Sequence, residues 1–284
     1  MAIRPSAVAG SWYPGSAGAL RREVDHYVDG AGDGPHGMVR AIVAPHAGMM
    51  FSGPVGAHAY RTVALNEDRV GYDVAVLVGP SHFVYFEGVS IFPDGAFETP
   101  LGLAAIDAVT AAAIARADVV RALPDAHTRE HSLEMQLPFL RRLLPDLPIV
   151  PLLMGRQDRA TIEQLAAALV DGLAGKRPLL VASTDLSHYF DARQAQTLDR
   201  QVRDCVQAFD DERLMALFER YPYSERGRFV GCGIGPALSV MKAARVLGAD
   251  EGRELKYGHS GDVSGDDSGV VGYLAAAFGS FDAD

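Results

Sequence analysis

VRAIVAP, residues 39–45, is a short, β-branched run that is apolar on both faces of an extended chain, and it is followed at once by His46 and Gly48. A strand of that kind is covered on both sides, which is the signature of the interior of a parallel sheet. Three more runs read the same way: YDVAVLVGP (72–80), LPIVPLLMG (147–155) and PLLVASTD (178–185). Helical patterns separate them, near 16–29, 53–64, 104–117, 131–144, 158–174, 192–209, 211–220 and 233–247. In 192–209, Leu198, Val202, Cys205, Val206 and Phe209 fall on one stripe of period 3.6. Two late segments, 253–260 and 269–278, read as further strands, and 93–102 as a turn with an irregular strand. Alternating strands and helices predict an α/β fold, a three-layer α/β/α sandwich around a mostly parallel mixed sheet. No Pro/Gly/Ser-rich linker or repeat divides the chain, so one domain over 1–284 is expected.

Ligands of open α/β sheets bind beyond the carboxyl ends of the strands. The residues that follow each apolar run therefore carry the argument. His46 follows the first in APHAG, His82 the second in GPSH, and Asp185 and His188 follow the fourth in STDLSH. One strand-end histidine alone is an ordinary hydrogen-bonded residue. Three strands delivering such residues to one edge form a constellation, and imidazole is a common ligand of Zn, Fe and Cu. A third, anionic ligand is expected from Cys232, in FVGCGIGP, where glycines let the backbone bend and the start of a helix near 236 favours the thiolate. Cys205 lies on a helical core stripe and reads as structural. Asp185 and His188 form a proton-transfer pair or, equally, Asp185 caps a short helix. The stretch TREHSLEMQLPFL (128–140) is expected to open a helix, with His131 and Glu134 on one face and Glu130, His131 and Glu134 either behind the ligands or against substrate; an ordinary acidic first turn is the stronger explanation. His58 reads as structural, and His26, His36 and His127 lie in polar surroundings. KYGHSGDVSGDDSG (256–269) reads as a hydroxyl-rich loop near the site mouth, without the spacing of a calcium loop.

Composition narrows the function. Acidic residues outnumber basic ones 36 to 26, a net charge of -10 with no Lys/Arg block, which disfavours a nucleic-acid partner. Two distant cysteines make no disulfide framework. No run of about 18 apolar residues predicts a membrane span, and no secretory signal is visible at the start. A cytoplasmic setting, which keeps Cys232 reduced, is the expectation.

AGSWYPG (9–15), APHAG (44–48) with FSG (51–53) and AHAY (57–60), GPSH (79–82), EHSLEMQLPFL (130–140), STDLSH (183–188) and the Gly-Cys-Gly of 231–233 stand in this order along the chain. Together they resemble the Memo family over about residues 5 to 280. The family's bacterial and archaeal relatives are known as protein B of the AmmeMemoRadiSam system, so the resemblance implies AMMECR-type and radical-SAM proteins as partners. It also implies a fold similar to the class III extradiol dioxygenases of the LigB type. Those enzymes hold Fe(II) with two His and one Glu. Carried over, His46, His82 and Cys232 are the metal ligands, with Cys in place of Glu, and His188 is the acid/base group accompanied by Asp185. A mononuclear metal is implied, Fe(II) first, with Cu or Zn as alternatives. Thiolate favours softer metals and is itself oxidisable, which weighs against ring cleavage. The leading reading is a redox-related metal-binding protein taking a small-molecule ligand. The alternatives are an extradiol-type dioxygenase, a phosphopeptide or small-ligand binding module without catalysis, and a zinc hydrolase. Whether the protein is an enzyme stays open at this point; an oxidoreductase or dioxygenase-like reaction is the class expected if it is.

Overall fold

The computed structural model describes residues 2–283. Nine strands form one sheet: β1 (Gly37–Ala44), β2 (Val74–Pro80), β3 (Val89–Ile91), β4 (Val120–Ala122), β5 (Ile149–Met154), β6 (Pro178–Ser183), β7 (His188–Phe190), β8 (Glu251–His259) and β9 (Val270–Phe281). The order is β7-β9-β1-β6-β2-β5-β3-β4, and β8 pairs with β9. The centre, β1-β6-β2-β5, is parallel. The flanks turn antiparallel at β3–β5 and at every pairing of β9. Every residue of β2, β5 and β6 is buried, as their unbroken apolar character requires. Each such Val, Leu or Ile contributes about 1.5–3 kcal/mol of burial. The sandwich expected from the sequence is present, with parallel pairing in the middle and again at the β3–β4 edge.

One helical layer contains α1 (Ala17–Gly30), α2 (Met49–Leu65) and α3 (Leu137–Leu143), which pack on one another. The other contains α4 (Arg159–Gly172), α5 (Ala192–Gln207) and α6 (Ile234–Val246), with α6 lying across β1, β2 and β6. Side-chain caps start several of them: Asp158 accepts from the Thr161 amide and Asp191 from that of Gln194. A small second sheet joins Ile3–Arg4 to the hairpin Ala96–Thr99 and Gly102–Ala105.

Three expectations change. The segment near 104–117 is helical only over Ala108–Ile114, because Asp107 caps it from within the expected helix. Residues 128–133 are not helical: a 3-10 turn (Glu134–Gln136) leads into α3. His127 is not in polar surroundings but buried, its ring edge-on to Phe92 and Phe97. The strands β3, β4 and β7 have three residues each, too short for a periodic signal. Among the described residues no helix is long and apolar enough to cross a membrane.

Candidate metal centre

The carboxyl ends of β1, β2 and β6 deliver their polar residues to one cleft of about 520 Å³. It is lined by His46, His82, His131, Asp185, His188 and Cys232, with Trp12, Tyr189 and Arg228 at its walls. His46 is buried at the end of β1. Its Nδ1 lies 2.8 Å from Ser183 Oγ, and the hydrogen-bond network fixes the tautomer. Ser183 spends its only hydroxyl proton on the Ser132 carbonyl at 2.6 Å and accepts from Gln136 Nε2 at 2.8 Å. Gln136 is oriented in turn by Tyr60, whose hydroxyl donates to its Oε1 at 2.8 Å. Ser183 can therefore only accept from His46, so Nδ1 carries the proton and Nε2 points the other way. There it meets Cys232 Sγ at 3.2 Å.

His82 is set by the same device with a carboxylate. Glu130 accepts from His82 Nδ1 at 2.9 Å and from the His82 amide at 2.6 Å. Two more amides, those of His131 and Ser132, hold the carboxylate from behind. Burial opposes the Glu130 charge, yet these bonds hold its pKa down at about 2. Fixing the outer nitrogen of an imidazole aims the inner one, the usual arrangement around a metal-binding histidine.

Cys232 comes from the turn before α6. Its amide donates to the Asp185 carbonyl at 3.2 Å, and the Gly233 amide donates to Thr184 Oγ1 at 2.9 Å, tying the turn to the end of β6. Gly231 sits at φ +153, and a Cβ there would lie 2.6 Å from the Asp185 carbonyl, so glycine lets the two segments meet. Burial opposes the thiolate, but His46 and hydrogen bonding by His188, His46 and His82 outweigh it, and the thiol is held well below its ordinary value. The rings respond in kind: against burial, His82 is raised to about 10 and His188 to about 9, each chiefly by Cys232.

Donor atoms of His46, His82 and His131 lie within 4.8 Å of one another, as do those of His46, Asp185 and Cys232. The three rings are close neighbours. His46 and His82 meet edge to face at 5.2 Å and 74°. His131 stacks on His82 at 4.6 Å and 16°. His131 thus roofs His82, with Trp12 4.3 Å above it. Burial and the neighbouring His46 and His82 push it down to about 4. Asp185 Oδ1 accepts from the His46 and Ala47 amides at 2.8 and 3.3 Å, so it clamps the His46 loop, and burial raises its pKa. Tyr189, beside His188, holds a left-handed φ of +61, a strained conformation for a side chain of that size.

The sequence reading therefore brought His46, His82, Asp185, His188, Cys232 and His131 to one place. Glu134 is the exception. It turns away from the rings and binds Arg4, the Ala7 and Val8 amides and the Tyr13 hydroxyl, because 128–133 is not helical and carries Glu130, not Glu134, to His82. Glu130, noted at the sequence level only as one of three neighbouring residues, holds the ring. Ser183, Gln136 and Tyr60 were missed. The 256–269 segment contains a helical turn, Gly261–Ser264, and the strand after it brings Val271 to the cleft wall.

Residues 4–277 match the sequence profile of the Memo-like proteins. The chain belongs to the Memo family. Memo relatives resemble it from end to end. A MEMO1 family protein of Methanopyrus kandleri is 38% identical, the alignment covering 97% of this chain and 98% of that one. Another, from Methanothermobacter thermautotrophicus, is 37% identical over 95% and 98%. The fold is shared with a crystal structure of an uncharacterized Escherichia coli K12 protein, at a TM-score of 0.54 and 15% identity over 85% of this Memo chain and all of that one.

Proposed function

We propose that the protein binds one metal ion through His46 Nε2, His82 Nε2 and Cys232 Sγ and serves a redox-related reaction on a small molecule held in the cleft. The observation that carries the proposal is the pair of fixed outer nitrogens: Ser183 and Glu130 each accept from an outer Nδ1, leaving both inner nitrogens available to an ion, that of His46 at 3.2 Å from the Cys232 sulfur. The donor set fits. Ligands bonded at about 2.3 Å (sulfur) and 2.0 Å (nitrogen) to one ion lie about 3.0–3.5 Å apart for angles between a right angle and tetrahedral. The separation of Cys232 Sγ from His46 Nε2 is 3.2 Å. Two imidazoles and a thiolate suit Fe(II), Cu or Zn over hard cations. Such an ion, when bound, supplies Lewis acidity and, if Fe or Cu, one-electron chemistry.

The chain's own residues divide the remaining work. Asp185 keeps the His46 loop rigid. His188, on the cleft wall, holds or moves a proton at its imidazole. His131 and Trp12 cover His82 and keep water from that side. Protein purified reduced and without oxygen is expected to carry near one equivalent of metal per chain, and Cys232→Ser to lower that occupancy sharply while the far-ultraviolet circular dichroism stays unchanged. Equal metal content in the two proteins overturns the proposal.

A further inference from the structure

Trp12 is a wall shared by two cavities. One is the metal-type cleft. The other, about 500 Å³, lies between the N-terminal loop, the middle of α1 and the start of α2. Its walls include Trp12, Tyr13, Pro14, Met50 and Phe51, and Glu23 from α1. Three aromatic residues, a methionine and one glutamate therefore line it, and no Lys, Arg or His does.

The walls are built rather than incidental. Tyr13 is buried, its hydroxyl fixed on Glu134 at 2.7 Å. Trp12 is held by its backbone, the amide on the Val8 carbonyl at 2.9 Å and the carbonyl under the Met49 amide at 2.8 Å. Met50, at the rim, is 56% exposed with nothing over it. Glu23 accepts only a long 3.3 Å bond from Tyr27 and has no ion-pair partner among the described residues. Aromatic faces carry the negative end of a ring quadrupole, so the electrostatic features of this cavity share one sign. An anion is repelled there, a neutral apolar group gains only from burial, and a weakly hydrated ammonium gains from both the rings and the acid.

We infer that this cavity is a binding site for a small organic cation, an alkylated ammonium group seated against Trp12 and Phe51 with Glu23 as its counter-charge. The site is separate from the metal centre, and its occupancy requires no metal.

The chain has a single tryptophan, so Trp12 emission reports on the site directly. Metal-free protein is titrated with choline and with its uncharged carbon isostere, by fluorescence and by calorimetry. Saturable quenching by choline is expected, with the isostere at least about tenfold weaker, and with Glu23→Gln weakening choline about fivefold or more. Phe51→Ala is expected to weaken choline while an unchanged unfolding midpoint of the Glu23→Gln protein shows that the fold survives. Equal binding of the two probes, indifference to Glu23→Gln, or no saturable binding by either method overturns the inference.

Discussion

Glu130 and Glu134 stand four residues apart, are both buried and each accept four hydrogen bonds, yet they do opposite things. Glu130 faces the cleft and spends its charge on an imidazole that must keep its other nitrogen open. Glu134 faces away and spends its charge on the Arg4 guanidinium and on the chain that leads to Trp12. Arg4 also reaches the backbone carbonyls of His127 and Glu130, so the Glu134 carboxylate and the backbone at Glu130 share one buried cation. A buried carboxylate is stable only when its donors are complete. What it does for function depends on whether one of those donors belongs to a group with a second task.

The largest way to break the comparison is Glu134→Ala. It leaves Arg4 buried without its carboxylate, and a loss of about 3–5 kcal/mol in urea-unfolding free energy is expected. A loss below about 1 kcal/mol, the level of a surface pair, contradicts this account. Glu130→Gln comes next and should separate the two acids. It keeps the volume but frees the His82 ring, and metal affinity is expected to fall about 10–100-fold in competition with a chelator. Folded Glu134→Ala protein losing affinity to the same degree would erase the distinction. The smallest effect is a slope. Burial, then the nearby Arg4 guanidinium, push His127 down from 6.5 to about 3, so its ring folds neutral. The unfolded chain takes up the proton first as pH falls. The His127 contribution is therefore complete above about pH 6.5 and declines toward about pH 3, by up to about 1.4 kcal/mol per pH unit. Unfolding free energies of the wild type and His127→Gln, compared across that window, are expected to converge as pH falls; parallel curves rule the assignment out.

The ligand candidates were legible because each follows a strand buried on both faces or sits among glycines, and such positions announce themselves in one dimension. Their supports were not. Ser183 closes the apolar run of β6, Gln136 sits before α3 and Tyr60 lies inside α2, so each reads locally as part of its own element. Their linkage to His46 exists only once three elements pack together. Glu134 was misplaced for a related reason. Apolar residues from 133 to 140 suggest one helix beginning near 128, whereas the amides of His131 and Ser132 fold around Glu130 and delay the helix until Leu137. At the sheet's edges β3, β4 and β7 are set by pairing, not by their own composition.

The strand β9 touches β7, β8 and β1, so much of one half of the sheet hangs on residues 270–281. During synthesis those residues leave the ribosome after each of the strands they pair with. Until they arrive, one side of β1 offers unpaired amides and carbonyls to any neighbouring chain, and the strand that pairs with His188 does not yet exist. The corner of the cleft assigned to proton handling is thus completed only after the segments carrying His46, His82 and Cys232 have all been made.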